Sequence, residues 1–395
     1  PDHLLLIIII RRMDKPIQRV TALNNATIES LRKNKITTCG QIYQYSEIFL
    51  AEKLDLNVYD VRSLIIKISD YVKPRRETAW ELLKHKEHVP SFLPTKLHQL
   101  DLNLKGGIPA GTITELVGHA GVGKTQMCLT LAALATMPSM STLLSLSSSS
   151  LSSSLNKNVV GNDINSSGVI YIDTEQKFNA TRLYEIIQER IKSEIFYQNM
   201  SNIDSNDIGI NSNNSNISIT KDQLDKLCKN AVKHVTVFTL PSCKEVVERL
   251  SNIQRLIIEK NVRLLLVDSV AAVARQEYSS IVHRQQWLNK QASLLKFIAE
   301  RFDIPVIVTN QVTTTFRSSS NTSNLLPALG NTWSHCVNTR LLLNATKEIR
   351  YFNNNNSNVQ NSEEVIKHVL KITKSPLSGP IEVQYDINER GIVDF

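Results

Sequence analysis

Apolar residues recur at helical spacing in the first part of the chain. Between residues 17 and 72 the spacing is that of short amphipathic helices, with breaks near residues 37–40 and 55–57. Helices of this kind bury their apolar faces against one another. We therefore predict a small helical domain over residues 13–73. It could hold DNA or a protein partner, or it could be a plain packing module.

Farther along, short apolar runs alternate with helical stretches. This alternation is typical of a parallel sheet covered by helices on both faces. Two later apolar pieces, residues 339–343 and 365–371, are expected to extend that sheet. The predicted fold class is α/β, with a mostly parallel central sheet in a core over residues 97–395 that follows the small all-α domain. The predicted strands cover residues 111–117, 168–173, 235–239, 262–268 and 304–309, and the predicted helices cover residues 124–137, 244–260 and 287–301.

Other stretches do not fit this alternation. The charged segment over residues 74–96 is predicted to be a linker between the two domains. Serine and asparagine dominate near residues 139–167, 201–220 and 353–362. These three segments have too little apolar surface to offset the entropy lost on ordering, so we expect disordered insertions.

An apolar run, Leu4–Ile10, lies near the start of the sequence and is followed by two arginines. It is too short to span a bilayer, which takes roughly 20 residues. No basic segment precedes it and no small-residue cleavage site follows it, so it is a poor signal peptide. We expect residues 1–12 to be a non-native or disordered extension ahead of Met13, with a buried edge strand as the alternative. We expect no membrane partner.

Composition narrows the chemistry only slightly. The formal net charge of +8 suits an anionic partner such as nucleic acid, but a charge of this size is also ordinary for 395 residues. The five cysteines are widely spaced and form no Cys-x-x-Cys pair. This spacing argues against a disulfide framework and against a zinc site, and it favours a reducing compartment such as the cytosol or the nucleus.

The segment Gly118–Thr125 fits the phosphate-binding pattern G-x-x-x-x-G-K-[ST], between a predicted strand and a predicted helix. Its glycines let backbone N–H groups curl around phosphates, and the helix N-terminus adds its dipole. Lys124 is expected to reach the β- and γ-phosphates of ATP, and the Thr125 hydroxyl to bind Mg²⁺. A glycine turn capped by Thr125 is the alternative, but it does not explain the lysine. The candidate cofactor-binding residues here are Gly118, His119, Ala120, Gly121, Val122, Gly123, Lys124, Thr125 and Gln126.

Further carboxylates follow two predicted strands. Asp268 ends the apolar run Leu264–Asp268 and is a candidate for holding Mg²⁺, directly or through water. Asp173 and Glu175 close another strand, so they are expected at the ligand crevice of a parallel sheet. Glu175 is the candidate base that orients the attacking water. Alternatively, Asp173 and Glu175 only mark the start of a helix and interact with its dipole.

These motifs occur in the same order in the RecA-type recombinases, which the chain resembles over about residues 20–395 apart from the insertions. The resemblance implies a RecA-type P-loop ATPase core. Two longer segments, Val270–Tyr278 and Ala328–Arg340, and the short Lys374–Pro376 are similar to the B-type paralogue group of the eukaryotic strand-exchange recombinase. The segments shared with the whole family are Gly118–Thr125, Ile172–Glu175, Leu264–Ser269 and Val308–Gln311.

The resemblance also implies roles for single residues. Lys124, Glu175 and Gln311 resemble the family's catalytic set, in which Gln311 would sense the γ-phosphate, and Arg182 resembles the arginine that packs on the adenine. Two loops line the family's DNA axis, and here they are expected over residues 275–286 and 312–329. Either stretch could instead be an ordinary solvated loop. The candidate DNA-binding residues, which would contact phosphates or stack on bases, are Arg275, Tyr278, Arg284 and Arg317.

Two features depart from the family. The turn Leu54–Asn57 lacks the glycine of the hairpin that grips a DNA backbone, and residues 73–96 lack the aromatic-x-x-Ala motif by which the recombinase assembles with itself. The nearest candidate is Ala79–Leu83, where Trp80 could dock into a different groove or merely cover the core.

The expected partners are single-stranded or branched DNA and another recombinase paralogue, of the C type, in a hetero-oligomer.

The function predicted is that of an accessory protein of homologous recombination and double-strand break repair in the nucleus. It would bind DNA in an ATP- and Mg²⁺-dependent way and have a weak, DNA-stimulated ATPase activity. One alternative is a scaffold subunit that binds ATP without hydrolysing it. Another is a RecA-like helicase or a P-loop kinase, although the sequence shows neither the lid nor the acceptor site that a kinase needs.

Overall fold

The structure is a computed structural model, and it describes residues 15–73, 78–86, 92–143, 167–206, 219–315, 324–327, 329–353 and 360–395. The chain divides into two compact units, residues 1–89 and residues 90–395. The predicted extension over residues 1–12 lies outside the described residues, and so does most of each predicted insertion.

The N-terminal unit is helical, as its apolar spacing predicts. Asn24, Ser46 and Asn57 each accept a hydrogen bond from a backbone N–H in the first turn of the helix that follows, which fixes where three helices begin. Buried aliphatic side chains from successive helices, such as Leu31 and Val61, form its core. Its elements are the 3₁₀ helices Ile17–Arg19 and Cys39–Gln44 and the α-helices α1 (Asn25–Lys33), α2 (Glu47–Leu54), α3 (Val58–Val72) and α4 (Ala79–Lys86).

One large sheet organises the second unit. Its strands lie in the order β12-β11-β10-β9-β3-β7-β6-β4-β5, and β8 pairs with β7. Neighbouring strands from β9 to β5 in this order are parallel, whereas β9 to β12 pair antiparallel. The predicted mostly parallel sheet is therefore confirmed. The strands are β1 (Phe92–Leu93), β2 (Ile108–Pro109), β3 (Ile113–Gly118), β4 (Gly168–Asp173), β5 (Val235–Thr239), β6 (Val262–Asp268), β7 (Val306–Thr315), β8 (Asn324–Pro327), β9 (Thr339–Asn353), β10 (Gln360–Lys374), β11 (Glu382–Asn388) and β12 (Gly391–Asp394).

Helices cover both faces of this sheet, as predicted. Leu264 and Leu266 of β6 belong to the apolar core beneath the phosphate loop, and the alternate residues Leu265 and Val267, which point to the opposite face, are buried as well. The helices are α5 (His98–Asn103), α6 (Lys124–Thr136), α7 (Ala180–Asn206), α8 (Lys221–Lys233), α9 (Cys243–Asn252), α10 (Gln254–Glu259), α11 (Val270–Glu277), α12 (Ile281–Phe302) and α13 (Gly330–Cys336).

The C-terminal strands go beyond what the apolar pattern indicates. The two pieces predicted after residue 338 form a long antiparallel hairpin of β9 and β10, each with 15 residues. Strands β11 and β12, which the pattern did not predict, pair beside them. Strand β7 continues to Thr315, past its predicted end at residue 309, because antiparallel pairing with β8 extends it.

The predicted loop over residues 275–286 is wrong. Helix α11 continues to Glu277 and α12 begins at Ile281, which leaves only residues 278–280 between them. The stretch contains neither glycine nor proline, so most of it extends the two helices, and only three residues connect them. Helix α7 likewise runs to Asn206, into the segment near residues 201–220 that was expected to be disordered.

Candidate functional site

The phosphate loop joins β3 to α6, between a strand and a helix as its sequence indicates. Glycine is required at two of its positions. A Cβ on Gly118 would lie 2.6 Å from the carbonyl oxygen of Leu343, and Gly123 has a φ of 96°, which L-residues rarely adopt. The loop therefore keeps its shape only with a bare backbone at both positions, as a phosphate cradle needs.

Lys124, the first residue of α6, folds back over this loop. Its ammonium donates hydrogen bonds to the carbonyl oxygens of Gly118, at 2.8 Å, and His119, at 2.7 Å. Burial lowers the pKa of Lys124, while the negative charges of Asp268 and Glu175 act in the opposite direction. A phosphate oxygen is a stronger acceptor than either carbonyl, so the amine is available to one.

Asp268 and Thr125 meet at the end of β6. The Thr125 hydroxyl donates to Oδ2 of Asp268 at 2.8 Å, so the two residues predicted to hold Mg²⁺ are in contact. Asp268 is 4% exposed and accepts two further hydrogen bonds. These come from the Tyr171 hydroxyl, at 2.9 Å to Oδ2, and the Thr309 hydroxyl, at 2.5 Å to Oδ1. The sequence analysis assigned no role to either residue: Tyr171 lies within an apolar strand, and Thr309 lies in the shared segment Val308–Gln311, of which only Gln311 was singled out.

Asp173 and Glu175, which the sequence left with two interpretations, have different environments. The Asp173 carboxylate accepts hydrogen bonds from the backbone N–H groups of Glu175, Lys177 and Phe178, so it shapes the turn that precedes α7. Glu175 instead lines the cavity at the phosphate loop. Its carboxylate accepts a hydrogen bond from the ammonium of Lys177, and this contact raises the pKa of Lys177. Only Glu175 faces the space where a nucleotide would react.

Gln311, on β7, lines the same cavity and also touches α11. Its Oε1 accepts a hydrogen bond from Nη1 of Arg275 at 3.1 Å. Burial lowers the pKa of Arg275, and the neighbouring charge of Arg284 lowers it further. A candidate nucleotide sensor is therefore in direct contact with a candidate DNA-binding residue.

Arg182, on α7, lies beside the first turn of α6. Its Nε donates to Oε1 of Gln126 at 3.1 Å, and its Nη2 donates to the carbonyl oxygen of Asn388 in the turn between β11 and β12. These contacts hold the guanidinium against the helix that carries the phosphate loop. The position suits a nucleobase, although Arg182 does not line the cavity described next.

The cavity at the phosphate loop has a volume of about 240 Å³. A triphosphate with Mg²⁺ needs a cation, a hydroxyl ligand, a nearby carboxylate and unobstructed backbone N–H groups, and this donor set supplies them. The residues present therefore fit Mg·ATP. The lining is Ala120, Gly121, Gly123, Lys124, Thr125, Gln126, Glu175, Lys177, Asp268 and Gln311.

The candidate DNA-binding residues form one cluster where α11 meets α12. The Tyr278 ring stacks on Trp287, with ring centroids 6.1 Å apart, and Nη2 of Arg284 donates to the Tyr278 carbonyl oxygen at 2.9 Å. Within the described part of the chain, Nη2 of Arg275 and Nε of Arg284 are buried without a hydrogen-bond partner. Such donors suit an anion. Arg317 lies outside the described residues.

A second buried carboxylate, which sequence analysis missed, lies in the middle of β3. Glu115 is 0% exposed, and its Oε1 accepts hydrogen bonds from Asn310 Nδ2 and Trp333 Nε1, both at 2.8 Å. Its Oε2 pairs with Nε of Arg340 at 2.6 Å. Arg340 in turn donates to the Ser334 hydroxyl at 3.0 Å. This cluster ties β3 to β7, β9 and α13.

Comparison with known proteins agrees with this geometry. The sequence pattern of the Rad51 family matches residues 89–142 and 220–395. DNA repair protein RAD51 homolog 2 of mouse is 31% identical over 96% of this chain and 97% of its own length. The human protein of that name is 30% identical over 96% of this chain and 88% of its own. The Arabidopsis thaliana protein of that name is 29% identical over 90% of this chain and 85% of its own length.

Among the described residues, no helix is both long and apolar enough to cross a bilayer.

The matches to RAD51 homolog 2 confirm the resemblance to the B-type paralogue that the segments near residues 270 and 330 indicated. Since the family pattern and these relatives together cover most of the sequence, the chain belongs to the Rad51 family, with its RecA-type, ATP-binding core.

Proposed function

We propose that this protein is a Mg·ATP-dependent, DNA-binding accessory factor of homologous recombination and double-strand break repair. It acts in the nucleus and has a weak ATPase activity that DNA stimulates. The observation that carries the proposal is the single cavity at the phosphate loop, which brings together Lys124, Thr125, Asp268, Glu175 and Gln311. The names of its relatives, DNA repair proteins, supply the pathway.

Each residue has its own role at the nucleotide. Lys124 and the loop N–H groups would bind the phosphates, and Arg182, which is hydrogen-bonded to Gln126, would pack on the base. Bound Mg²⁺ would neutralise developing charge on the phosphate oxygens. Thr125 and Asp268 would hold it, and Gln311 would contact the γ-phosphate. Glu175 would orient a water and accept its proton, once its carboxylate is released from Lys177.

The DNA proposal rests on the cluster between α11 and α12. Arg275 and Arg284 bring two positive charges together, and each has a buried N–H group with no hydrogen-bond partner in the part of the chain that the structure describes, which suits a phosphodiester. The stacked rings of Tyr278 and Trp287 are next to them, and aromatic faces stack on unpaired bases. We propose single-stranded or branched DNA as the ligand.

The assembly proposal rests on relatives and on one exposed patch. XRCC3 homolog of Arabidopsis thaliana and RAD51 homolog 3 of Cricetulus griseus are each 27% identical to this chain. In the family the ATP lies between subunits, so a neighbour completes the site. Trp80 and Leu83 on α4 are 60% and 54% exposed and could occupy a groove on that neighbour. We propose a hetero-oligomer with a C-type paralogue.

The test is ATP turnover by the purified protein, measured with and without single-stranded DNA and the partner. Lys124→Ala should weaken binding of a fluorescent ATP analogue about 30-fold or more, because losing one partner of a buried charged contact costs about 2–5 kcal/mol. Glu175→Gln should keep that affinity and lower turnover by about 100-fold or more. Lys226→Ala, on the exposed side of α8, is the control. Unchanged affinity in the Lys124 variant would refute the phosphate-loop assignment.

A non-hydrolysing scaffold is the second candidate, and the pairing of Glu175 with Lys177 is what favours it. A glutamate whose carboxylate already accepts a hydrogen bond from a lysine has less room to hold the attacking water. The Lys177→Ala variant separates the two functions. If the protein is an ATPase restrained by this contact, turnover should rise; if it is a scaffold, turnover should stay at background with either residue.

A further inference from the structure

The Asp268 carboxylate is held by hydroxyl groups on both sides. Oδ1 accepts from Thr309, and Oδ2 accepts from Tyr171 and Thr125. Strand β6, which ends at Asp268, lies between β4, which carries Tyr171, and β7, which carries Thr309. The two hydroxyls therefore reach the carboxylate from the two neighbouring strands of the sheet.

These hydroxyls occupy positions that packing alone would fill with apolar groups. Tyr171 and Thr309 are both 0% exposed; Tyr171 lies between two isoleucines, and Thr309 follows the apolar run Val306–Val308. Phenylalanine and valine would have nearly the same shapes. A buried hydroxyl without a partner costs free energy, so its presence needs a reason, and here the reason is the shared carboxylate.

The carboxylate itself has no cationic partner in the described part of the chain. None of the ion pairs found there includes Asp268, and the nearby ammonium of Lys124 donates to carbonyl oxygens instead. A buried charge of this kind is kept by hydrogen-bond donors or by a metal. With Tyr171 and Thr309 in place, Asp268 is held in one orientation and has no cation in direct contact among the described residues, although the charge of Lys124 is close enough to interact with it.

That orientation decides what Thr125 can do. A threonine hydroxyl has one proton and two lone pairs. Since Thr125 gives its proton to Asp268, its lone pairs remain available to a cation. If Asp268 rotated, Thr125 could donate elsewhere and would no longer be fixed as a ligand.

We propose that Tyr171 and Thr309 are positioning residues for the metal: their hydroxyls fix Asp268, and Asp268 fixes Thr125 to receive Mg²⁺. This inference deepens the proposed function and rests on it, since it concerns how the Mg·ATP site is held. Residues behind metal ligands commonly set metal affinity, and losing one lowers that affinity about 10- to 100-fold.

The experiment titrates Mg²⁺ into the full-length protein with a fluorescent ATP analogue and records the Mg²⁺ concentration that gives half-maximal binding. Tyr171→Phe and Thr309→Val each remove one hydroxyl. Each should raise this concentration about 10- to 100-fold. Binding of the analogue in EDTA should match the parent, because the phosphate contacts of Lys124 do not depend on either hydroxyl.

The chain offers matched controls. Tyr184→Phe removes another hydroxyl that donates to an aspartate, Asp225, at 2.8 Å, between α7 and α8. Thr136→Val removes a buried hydroxyl near the far end of α6, which donates to Ala132 O at 3.0 Å. Both should keep the parent's Mg²⁺ midpoint. Thr309→Ser retains a hydroxyl and should also keep it, which a purely steric role of Thr309 does not predict.

The outcomes distinguish failure of the positioning role from failure of the proposed Mg·ATP-dependent function. If the parent binds the analogue but Tyr171→Phe and Thr309→Val share its Mg²⁺ midpoint within twofold, the positioning role is overturned and the proposed function stands. If the parent binds no analogue at any Mg²⁺ concentration, both are overturned. Should Tyr171→Phe fail to fold, the Thr309→Val and Thr309→Ser pair decides: equal midpoints contradict the proposal.

Discussion

Two buried carboxylates in the same sheet contrast in how they are stabilised. Glu115, in the middle of β3, pairs with Arg340 and accepts hydrogen bonds from Asn310 and Trp333. Asp268, at the end of β6, accepts only hydroxyl groups from the described residues. Glu115 is neutralised by a permanent partner within the chain. Asp268 is oriented by hydroxyl groups and forms no direct ion pair among the described residues, although Lys124 is near enough to feel its charge. This difference separates a structural carboxylate from one that is ready to hold a metal.

The first prediction breaks the Glu115 cluster and has the largest expected effect. Glu115→Ala leaves Arg340 without its anion and removes the acceptor for the Trp333 indole. Removing one partner of a buried ion pair destabilises a protein by about 3–5 kcal/mol. Chemical denaturation followed by circular dichroism should show this loss. A decrease below about 1 kcal/mol would mean that the cluster contributes little to folding.

The second prediction makes the corresponding change at Asp268. Asp268→Asn keeps the shape, and the three hydroxyls can rotate to suit an amide, so the free energy of unfolding should change by about 1 kcal/mol or less. The same variant should lose at least about tenfold in Mg²⁺-dependent binding of an ATP analogue. Parallel denaturation and Mg²⁺ titration measure both quantities. The contrast between the two carboxylates fails if Asp268→Asn unfolds the protein as Glu115→Ala does.

How well the sequence predicts these regions depends on whether a motif marks them. The phosphate loop has a fixed spacing of Gly118, Gly123 and Lys124, so one sequence sufficed to place it. Asp268 was found because it ends an apolar run on another predicted strand after the phosphate loop, a signal that is weak alone and gains support from the loop. Glu115 has a similar signal, an acidic residue inside a strand, but its partners come from far along the chain. Only the sheet order brings Asn310 and Arg340 beside it.

The fold could likewise be predicted only where the local sequence marks an element. Periodicity gave the bounds of β4, β5 and β6, where short apolar runs have clear ends. The loop over residues 275–286 was expected from the resemblance and is wrong. The stretch has neither glycine nor proline, which favours the helices that the structure shows. Periodicity also missed β11, in which buried and exposed residues alternate, and β12, which has only four residues. Pairing partners extend such strands, and a single sequence does not identify them.

The third prediction sharpens the contrast at Arg340. Arg340→Lys keeps the positive charge near Glu115 but loses the second arm of the guanidinium, which donates to Ser334 at 3.0 Å. Lysine cannot donate in two fixed directions as arginine does. The free energy of unfolding should fall by about 1–2 kcal/mol, less than for Glu115→Ala. If Arg340→Lys costs as much as Glu115→Ala in the same denaturation assay, geometry rather than charge holds the cluster.

The last prediction concerns the reverse arrangement, a pair of cations without an anion. Burial lowers the pKa of Arg275 and the nearby charge of Arg284 lowers it further, and each arginine has a buried nitrogen with no hydrogen-bond partner among the described residues. Asp268 is proposed to bind a cation, Mg²⁺, and these arginines are proposed to bind an anion, a DNA phosphate. Arg275→Ala should therefore weaken binding of single-stranded DNA and reduce the slope of log affinity against log salt by about 0.7, the value for one phosphate contact.

Fluorescence anisotropy at several salt concentrations measures that slope. Tyr278→Ala is the paired variant: it should weaken binding through lost stacking on Trp287 and on bases, but leave the slope unchanged, because it removes no charge. Arg255→Ala is the control, since Arg255 carries the same charge on α10 and pairs with Glu259 at the surface. Equal slopes for the parent and Arg275→Ala would remove Arg275 from the DNA site and leave its contact with Gln311 as a purely structural one.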